Sequence, residues 1–199
     1  MHMCCRDLTR YRFWFNMPPT VHFIRHGQAD HNVGYKTYGD PAYDMPCFWN
    51  ASLTDQGVEE AKLLRDREDL RGCRIIVSPL QRALETASAI FPDQTFEIDD
   101  LVSEFNPAWR CNRRIDLATL KDEWPEHEIR CAAQTPTAEE TWDQLFDRAN
   151  KFLEYIRDSK QSIVVVSHHD FMSAILDILK AKWDGGPKIH HCSPITVEL

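Results

Sequence analysis

Apolar positions along this chain follow two rhythms. Thr20–Ile24 (TVHFI), Cys73–Val77 (CRIIV) and Ser162–Ser167 (SIVVVS) are short stretches dominated by β-branched and aromatic residues, each running into a turn-forming or polar segment. They are too short for helices and too apolar to keep a wet face, so they predict strands covered on both sides. Between them the apolar residues recur every three or four positions. Val58, Ala61, Leu64 and Leu70 predict a helix over 55–70, with Thr54 or Asp55 as its N-cap. Leu80–Ile90 and Phe171–Lys182 read the same way. The clearest amphipathic helix spans 138–156, where Trp142, Leu145, Phe146, Ala149, Phe152, Leu153 and Ile156 share one face; Trp142 and Phe146 are therefore expected in the core. Phe96–Ile98 is a weaker strand, and 99–136 reads as an irregular excursion with a short helix at 116–124. Ile195–Leu199 is placed at one edge of the sheet. Buried strands alternating with helices predict an α/β fold: three layers, a doubly wound and mostly parallel sheet with helices on both faces.

Length and charge narrow the class. The chain has 199 residues and a formal net charge of −8, with 43% hydrophobic residues. This is enough for one domain with a substantial core. A net negative chain has no bulk attraction for phosphate backbones, so nucleic acid is not expected as a partner, and an anionic small substrate requires a local basic pocket. No apolar run approaches the ~18 residues needed to span a bilayer, and no membrane partner is expected. Seven cysteines at irregular spacing fit reduced thiols, which places the expected compartment in the cytoplasm. Residues 1–16 carry neither a helical stripe nor a motif and read as an extension outside a single domain of 17–199. Composition leaves oligomeric state open.

In a doubly wound sheet the ligand site lies beyond the carboxyl ends of the strands. Three segments stand there: Arg25-His26-Gly27-Gln28, Ser78-Pro79-Leu80-Gln81-Arg82 and Ser167-His168-His169-Asp170. Two arginines and two histidines thus converge on one edge.

These segments resemble the histidine phosphatase superfamily, with its phosphoglycerate-mutase-like fold. Arg25-His26-Gly27 followed by Asn32 is similar to its opening motif, and Leu53-Thr54-Asp55-Gln56-Gly57 to the segment before its first helix. Ser78-Pro79 through Arg82 and Thr86-Ala87 is similar to its second arginine motif, and Ser167-His168 to its second histidine motif. The resemblance implies phosphohistidine chemistry. His26 is then the nucleophile, while Arg25, Arg82 and His168 hold the phosphoryl oxygens, as guanidinium forks and an oriented imidazole can. Asn32 and backbone amides near Gly27 are expected to add neutral donors, with Gly27 allowing close approach of the phosphate. Glu104, after the third strand, stands where the family carries its proton donor, although the segment that follows it does not align.

The cluster Arg110, Arg113 and Arg114 suits a second anionic group on the substrate, or pairs with Asp116, Asp122 and Glu123. Phe48 and Trp49 either close over the substrate or pack. His169-Asp170 is set aside in favour of His168, because the opening motif lacks the Arg and Pro of the acid-phosphatase branch. His190-His191 beside Cys192 has no second cluster at zinc-site spacing, so no metal is expected. The resulting expectation is a phosphatase without cofactor, acting on a small phosphorylated metabolite. The alternatives are a mutase on the same residues and a non-catalytic module that binds phosphorylated ligands.

Overall fold

In the computed structural model, which describes residues 19–135, 138–180 and 189–198, the apolar runs form a six-stranded sheet in the order β4-β3-β2-β5-β1-β6. The strands are β1 (Thr20–Arg25), β2 (Arg74–Val77), β3 (Glu97–Asp99), β4 (Glu128–Arg130), β5 (Ile163–Ser167) and β6 (Ile195–Glu198). All pairings are parallel except that of β6, which runs antiparallel to β1 at the edge. The helices are α1 (Asp30–Tyr38), α2 (Asp55–Lys62), α3 (Gln81–Ile90), α4 (Leu117–Glu123), α5 (Trp142–Ile156) and α6 (His169–Ile178). The expected extension 1–16 lies outside the described residues. Among the described residues no helix is long and apolar enough to cross a membrane.

Strand side chains alternate faces, so each strand feeds two cores. Val21, Phe23, Ile76, Ile163 and Val165 pack against Leu145, Ala149, Phe152 and Ile156 of α5 and against Phe171, Met172 and Ile175 of α6. Ile24, Ile75, Val77, Val164 and Val166 pack on the other side against Ala61, Leu64 and the α3 residues Ala83, Leu84, Ala87 and Ile90. Two apolar clusters on opposite faces make the three-layer fold that the sequence predicts.

Four local expectations change. The helix from Asp55 ends at Lys62, where the chain tightens to i→i−3 bonds at Leu64 and Arg65; Leu64 and Leu70 are buried all the same. Trp142 is not core: it is 53% exposed, because it opens α5 before the apolar stripe reaches the sheet, and its ring stacks on Phe105 at 4.4 Å. Phe146 is half-buried at the margin of its core. The segment 99–136 is more regular than its composition suggests, with α4 capped by the Asp116 carboxylate and β4 added beside β3.

Candidate active site

β1, β2 and β5 end level with one another. Arg25 is in register with Ser167 and Val77 with Val166, and the ladder runs one residue further through His26 N–H to Ser167 O (3.0 Å) and Ser78 N–H to Val166 O (3.0 Å). Backbone bonds of this kind fix where each following side chain starts. Arg25, His26, Ser78 and His168 are therefore held by the sheet itself, while Arg82 comes from the first turn of α3.

The turn after β1 depends on a crossing of two glycines. A Cβ on Gly27 would lie 2.4 Å from the Gly57 carbonyl oxygen, and one on Gly57 would lie 2.0 Å from that of Gln28. Gly27 thus makes room for backbone rather than for phosphate. Its amide donates to Thr86 Oγ1 (3.0 Å), which in turn donates to Arg82 O (2.6 Å). This corrects the expectation of a phosphate-binding amide at Gly27: the bond instead ties the histidine turn to the arginine helix.

His26 Nδ1 lies 2.7 Å from the Gly27 carbonyl oxygen. A carbonyl only accepts, so Nδ1 carries the proton and Nε2 keeps its lone pair. Burial first, then the positive fields of Arg82, His168 and Arg25, hold His26 well below the ordinary imidazole range, so the ring is neutral. His168, fully buried, has its ring centroid 5.1 Å from that of His26. Its Nε2 is 2.7 Å from Ser78 Oγ, and Ser78 Oγ accepts from Leu80 N–H (3.3 Å). The other ring nitrogen, Nδ1, is buried with no protein partner. Arg25 gives Nη1 to Ile189 O (2.8 Å), and Arg82 gives Nη1 to Cys111 O (3.0 Å) and Nη2 to Asn112 Oδ1 (2.8 Å); the Nε of each guanidinium is buried without a partner. The unpartnered guanidinium N–H groups of Arg25 and Arg82 beside one neutral ring, with the unpartnered Nδ1 of His168 next to them, make an anion site.

Glu104 lines the same cavity of about 600 Å³ as Arg25, His26 and Arg82. Its Oε1 accepts from the N–H groups of Phe105 (2.9 Å), Asp170 (3.1 Å) and Phe171 (3.2 Å), so the carboxyl caps the start of α6. Burial and the neighbouring Asp170 raise its pKa despite those bonds. Its charge is felt by both Arg25 and Arg82.

Other expected residues sort differently. Asn32 lines the cavity, with Oδ1 accepting from Ala29 N–H (3.0 Å). Arg114 does not line the His26 cavity: its buried guanidinium pairs with Asp100 (2.9 Å) and donates to the carbonyls of Ala132 (2.6 Å) and Ile115 (3.0 Å). It lines an adjoining cavity of about 420 Å³. Arg113 lines neither cavity. Arg110 lies over the Trp49 ring at 4.7 Å. Among the described residues no group of three or more His, Cys, Asp or Glu is placed to hold a metal ion.

Sequence reasoning missed His31, and it set His191 aside as a metal ligand without placing it beside His26. His31 and His191 have ring centroids 5.8 and 5.5 Å from that of His26. Because Asn32 Oδ1 faces the Ala29 amide, its Nδ2 faces His31 Nε2 (3.0 Å) and must donate to it. His31 therefore carries its proton on Nδ1, which is buried without a partner. The signal was available in Asp30-His31-Asn32, where the side chain before the motif asparagine enters the site, but only once α1 is recognised as a helix.

A family model described as histidine phosphatase superfamily (branch 1) matches residues 21–198. No curated protein sequence gives a significant match. Among solved structures the chain is similar to an Escherichia coli protein provisionally assigned as an alpha-ribazole-5'-P phosphatase, at 19% identity over 91% of each chain with a TM-score of 0.64. It is also similar to the Entamoeba histolytica phosphoserine phosphatase in complex with 3-phosphoglyceric acid (19%, 89% of each chain, 0.59). A third is a mycobacterial glucosyl-3-phosphoglycerate phosphatase complexed with VO3 (20%, 89% of this chain and 92% of that one, 0.58). These structures share the fold. The family model, the level strand ends and the neutral histidine among arginines lead to one assignment: the chain belongs to the histidine phosphatase superfamily, branch 1.

Proposed function

We propose that the protein is a phosphatase that hydrolyses a small phosphorylated metabolite through a phosphohistidine on His26, without a metal ion. The observation that carries this is the tautomer of His26: the Gly27 carbonyl holds the proton on Nδ1 and turns Nε2 into a nucleophile beside the unpartnered Nε–H groups of Arg25 and Arg82 and the unpartnered Nδ1 of His168. Nε2 attacks phosphorus, the N–P bond forms and the ester P–O bond breaks, while the guanidinium and imidazole N–H groups hold the phosphoryl oxygens. Glu104, with its raised pKa, gives its proton to the departing alkoxide. The resulting carboxylate takes a proton from water as the water oxygen attacks phosphorus. The N–P bond then breaks, releasing phosphate and restoring His26. Neighbours whose names include phosphatases of small phosphorylated molecules are consistent with that substrate class.

The test is hydrolysis of p-nitrophenyl phosphate by the purified chain and by His26→Ala with a chelator present throughout, together with acid quenching to trap an acid-labile phosphoenzyme. Turnover that survives chelation and falls by about 10⁴-fold or more in the variant, with loss of the trapped phosphate, is expected. Equal activity in His26→Ala, or activity abolished by the chelator, overturns the reading.

A further inference from the structure

Beyond the phosphate donors, the cavity is walled on one side by rings. Tyr35, Tyr43 and Trp109 line it together with His26 and His31. Their centroids form a continuous series: His26 to His31 at 5.8 Å, His31 to Tyr43 at 6.1 Å, Tyr43 to Tyr35 at 5.3 Å with near-parallel planes (15°), and Tyr43 to Trp109 at 4.6 Å. Tyr35 is 44% exposed, an arrangement that leaves aromatic surface uncovered beside a concave site.

The wall is built, not incidental. Tyr43 sits on a 3-10 turn, Asp40–Asp44. Asp44 joins that turn to the Trp109 loop by accepting the Arg110 amide on Oδ1 (3.2 Å), and it accepts the Trp49 indole N–H on its carbonyl (3.0 Å). Arg110 then lies over the Trp49 ring. Immediately before Trp109, Ala108 has φ 72, a left-handed conformation unfavourable to any residue with a Cβ. A strained residue that aims an aromatic side chain into a cavity is a common mark of a functional constraint. Meanwhile Arg114, expected to receive a second anionic group, is committed to Asp100 and to carbonyls elsewhere.

The geometry points to an aromatic subsite: the alcohol part of the substrate carries a flat ring, which stacks on Tyr35, Tyr43 and Trp109 while its phosphate faces His26. This deepens the phosphatase reading of the same site and rests on it. Rings prefer offset-stacked or edge contacts over a saturated body of equal bulk, so the subsite selects for π faces and not for size. The Tyr43 phenol, pushed up to about 12 mainly by burial, stays neutral and offers no charge to repel the ring.

The test compares benzyl phosphate with cyclohexylmethyl phosphate, alike in bulk and in having an alkoxide leaving group but different in the flat ring. A parallel calorimetric titration with benzylphosphonate and cyclohexylmethylphosphonate reads binding without turnover. The aromatic member is expected to be preferred about fivefold in both kcat/KM and Kd. Trp109→Ala should bring both ratios toward one, and Trp109→Phe should restore most of the preference. Adenosine 5'-monophosphate serves as a second arm: turnover comparable to benzyl phosphate places the ring in a nucleobase, and weak turnover places it directly on the ester carbon. Ratios of one in the unmodified protein, or ratios unmoved by Trp109→Ala, overturn the proposal. Binding selectivity without phosphate release would uphold the subsite while removing the phosphatase reading.

Discussion

The floor of the active site and its wall are held by different forces. The floor consists of side chains that leave the ends of β1, β2 and β5, with Arg82 from the first turn of α3, and their positions follow from strand register and from the Gly27–Gly57 backbone crossing. The wall, from residues 30–50 and 104–114, hangs on side-chain bonds: Asp44 to Arg110, Asp100 to Arg114, Asn112 to Phe105 O, and rings stacked on rings. Backbone geometry tolerates little variation, whereas side-chain contacts can be exchanged one at a time. The proposed reaction thus draws its chemistry from the rigid part of the fold and its recognition of the rest of the substrate from the part that can be re-tailored.

Among changes that test this contrast, the largest expected effect falls where floor and wall meet, at Glu104. Glu104→Gln removes the proton donor but keeps an oxygen for the amides of Phe105, Asp170 and Phe171. Turnover of an alkyl phosphate should fall by about 10²–10³-fold, far more than any weakening of inhibition by inorganic phosphate. With an aryl phosphate, whose leaving group needs no proton, formation of the phosphoenzyme should lose much less and show as a retained burst of released phenol, although steady turnover slows because the same residue activates water. A burst lost as completely as alkyl phosphate turnover would detach Glu104 from the acid role.

Next comes the crossing beneath the floor. Gly57→Ala places a methyl 2.0 Å from a carbonyl oxygen and 2.8 Å from an amide nitrogen of Gln28, both backbone. With nothing flexible to yield, the cost should be on the order of 3 kcal/mol, visible as a lower Tm and as lost activity through displacement of His26. A variant as stable as the parent would show that the turn can slide and that the floor yields to an added methyl.

This contrast also explains what the sequence made legible. Strand positions, the two cores and the four charged or imidazole side chains of the floor follow from apolar runs and from motifs at strand ends. The wall did not follow. α1 carries little amphipathic signal because it caps the site instead of covering the sheet: of its nine residues only His31 and Gly34 are buried. β4 is three residues long and bears charges at both ends, so its pattern is that of a loop. Arg113 and Arg114 read as a basic patch, yet Arg114 is a buried strut whose partners, Asp100 and the carbonyl of Ala132, come from other parts of the chain. Long-range side-chain pairing leaves no periodic trace.

A third prediction separates the regions by pH. His26, His31 and His168 are held neutral, chiefly by burial, so each has a folded pKa below the ordinary 6.5. Below that value the unfolded chain takes up protons that the folded chain refuses. Their contribution to stability is therefore full above about pH 6.5 and is lost as pH falls, at up to about 1.4 kcal/mol per unit for each ring. Glu104 works in the opposite sense, since its raised folded value favours the folded state below the ordinary carboxylate pKa and loses that contribution as pH rises through the folded value. Tm should thus drop steeply from pH 7 to pH 5, and His31→Phe should remove part of that slope. The same variant loses the Nδ1 donor and should weaken inhibition by vanadate. A slope unchanged in His31→Phe would mean that this ring titrates normally and faces solvent.

The smallest expected change in stability is also the sharpest test of the division between floor and wall. Ala108→Gly relieves a left-handed φ that costs about 1–2 kcal/mol in a residue with a Cβ. It also gives the unfolded chain extra freedom, a loss of about 0.4–1 kcal/mol, so the net effect on Tm should be slightly positive. The strain, however, is what fixes the entry of the chain into Trp109. With glycine there, Trp109 keeps its neighbours but loses its enforced approach, and the preference for a flat over a saturated ring should shrink while phosphoryl transfer to His26, anchored on the sheet, proceeds as before. A variant that is more stable yet less selective would show that the wall holds strain in the service of recognition. Retained selectivity would mean that stacking on Tyr43 alone positions the indole, with the backbone strain incidental to it.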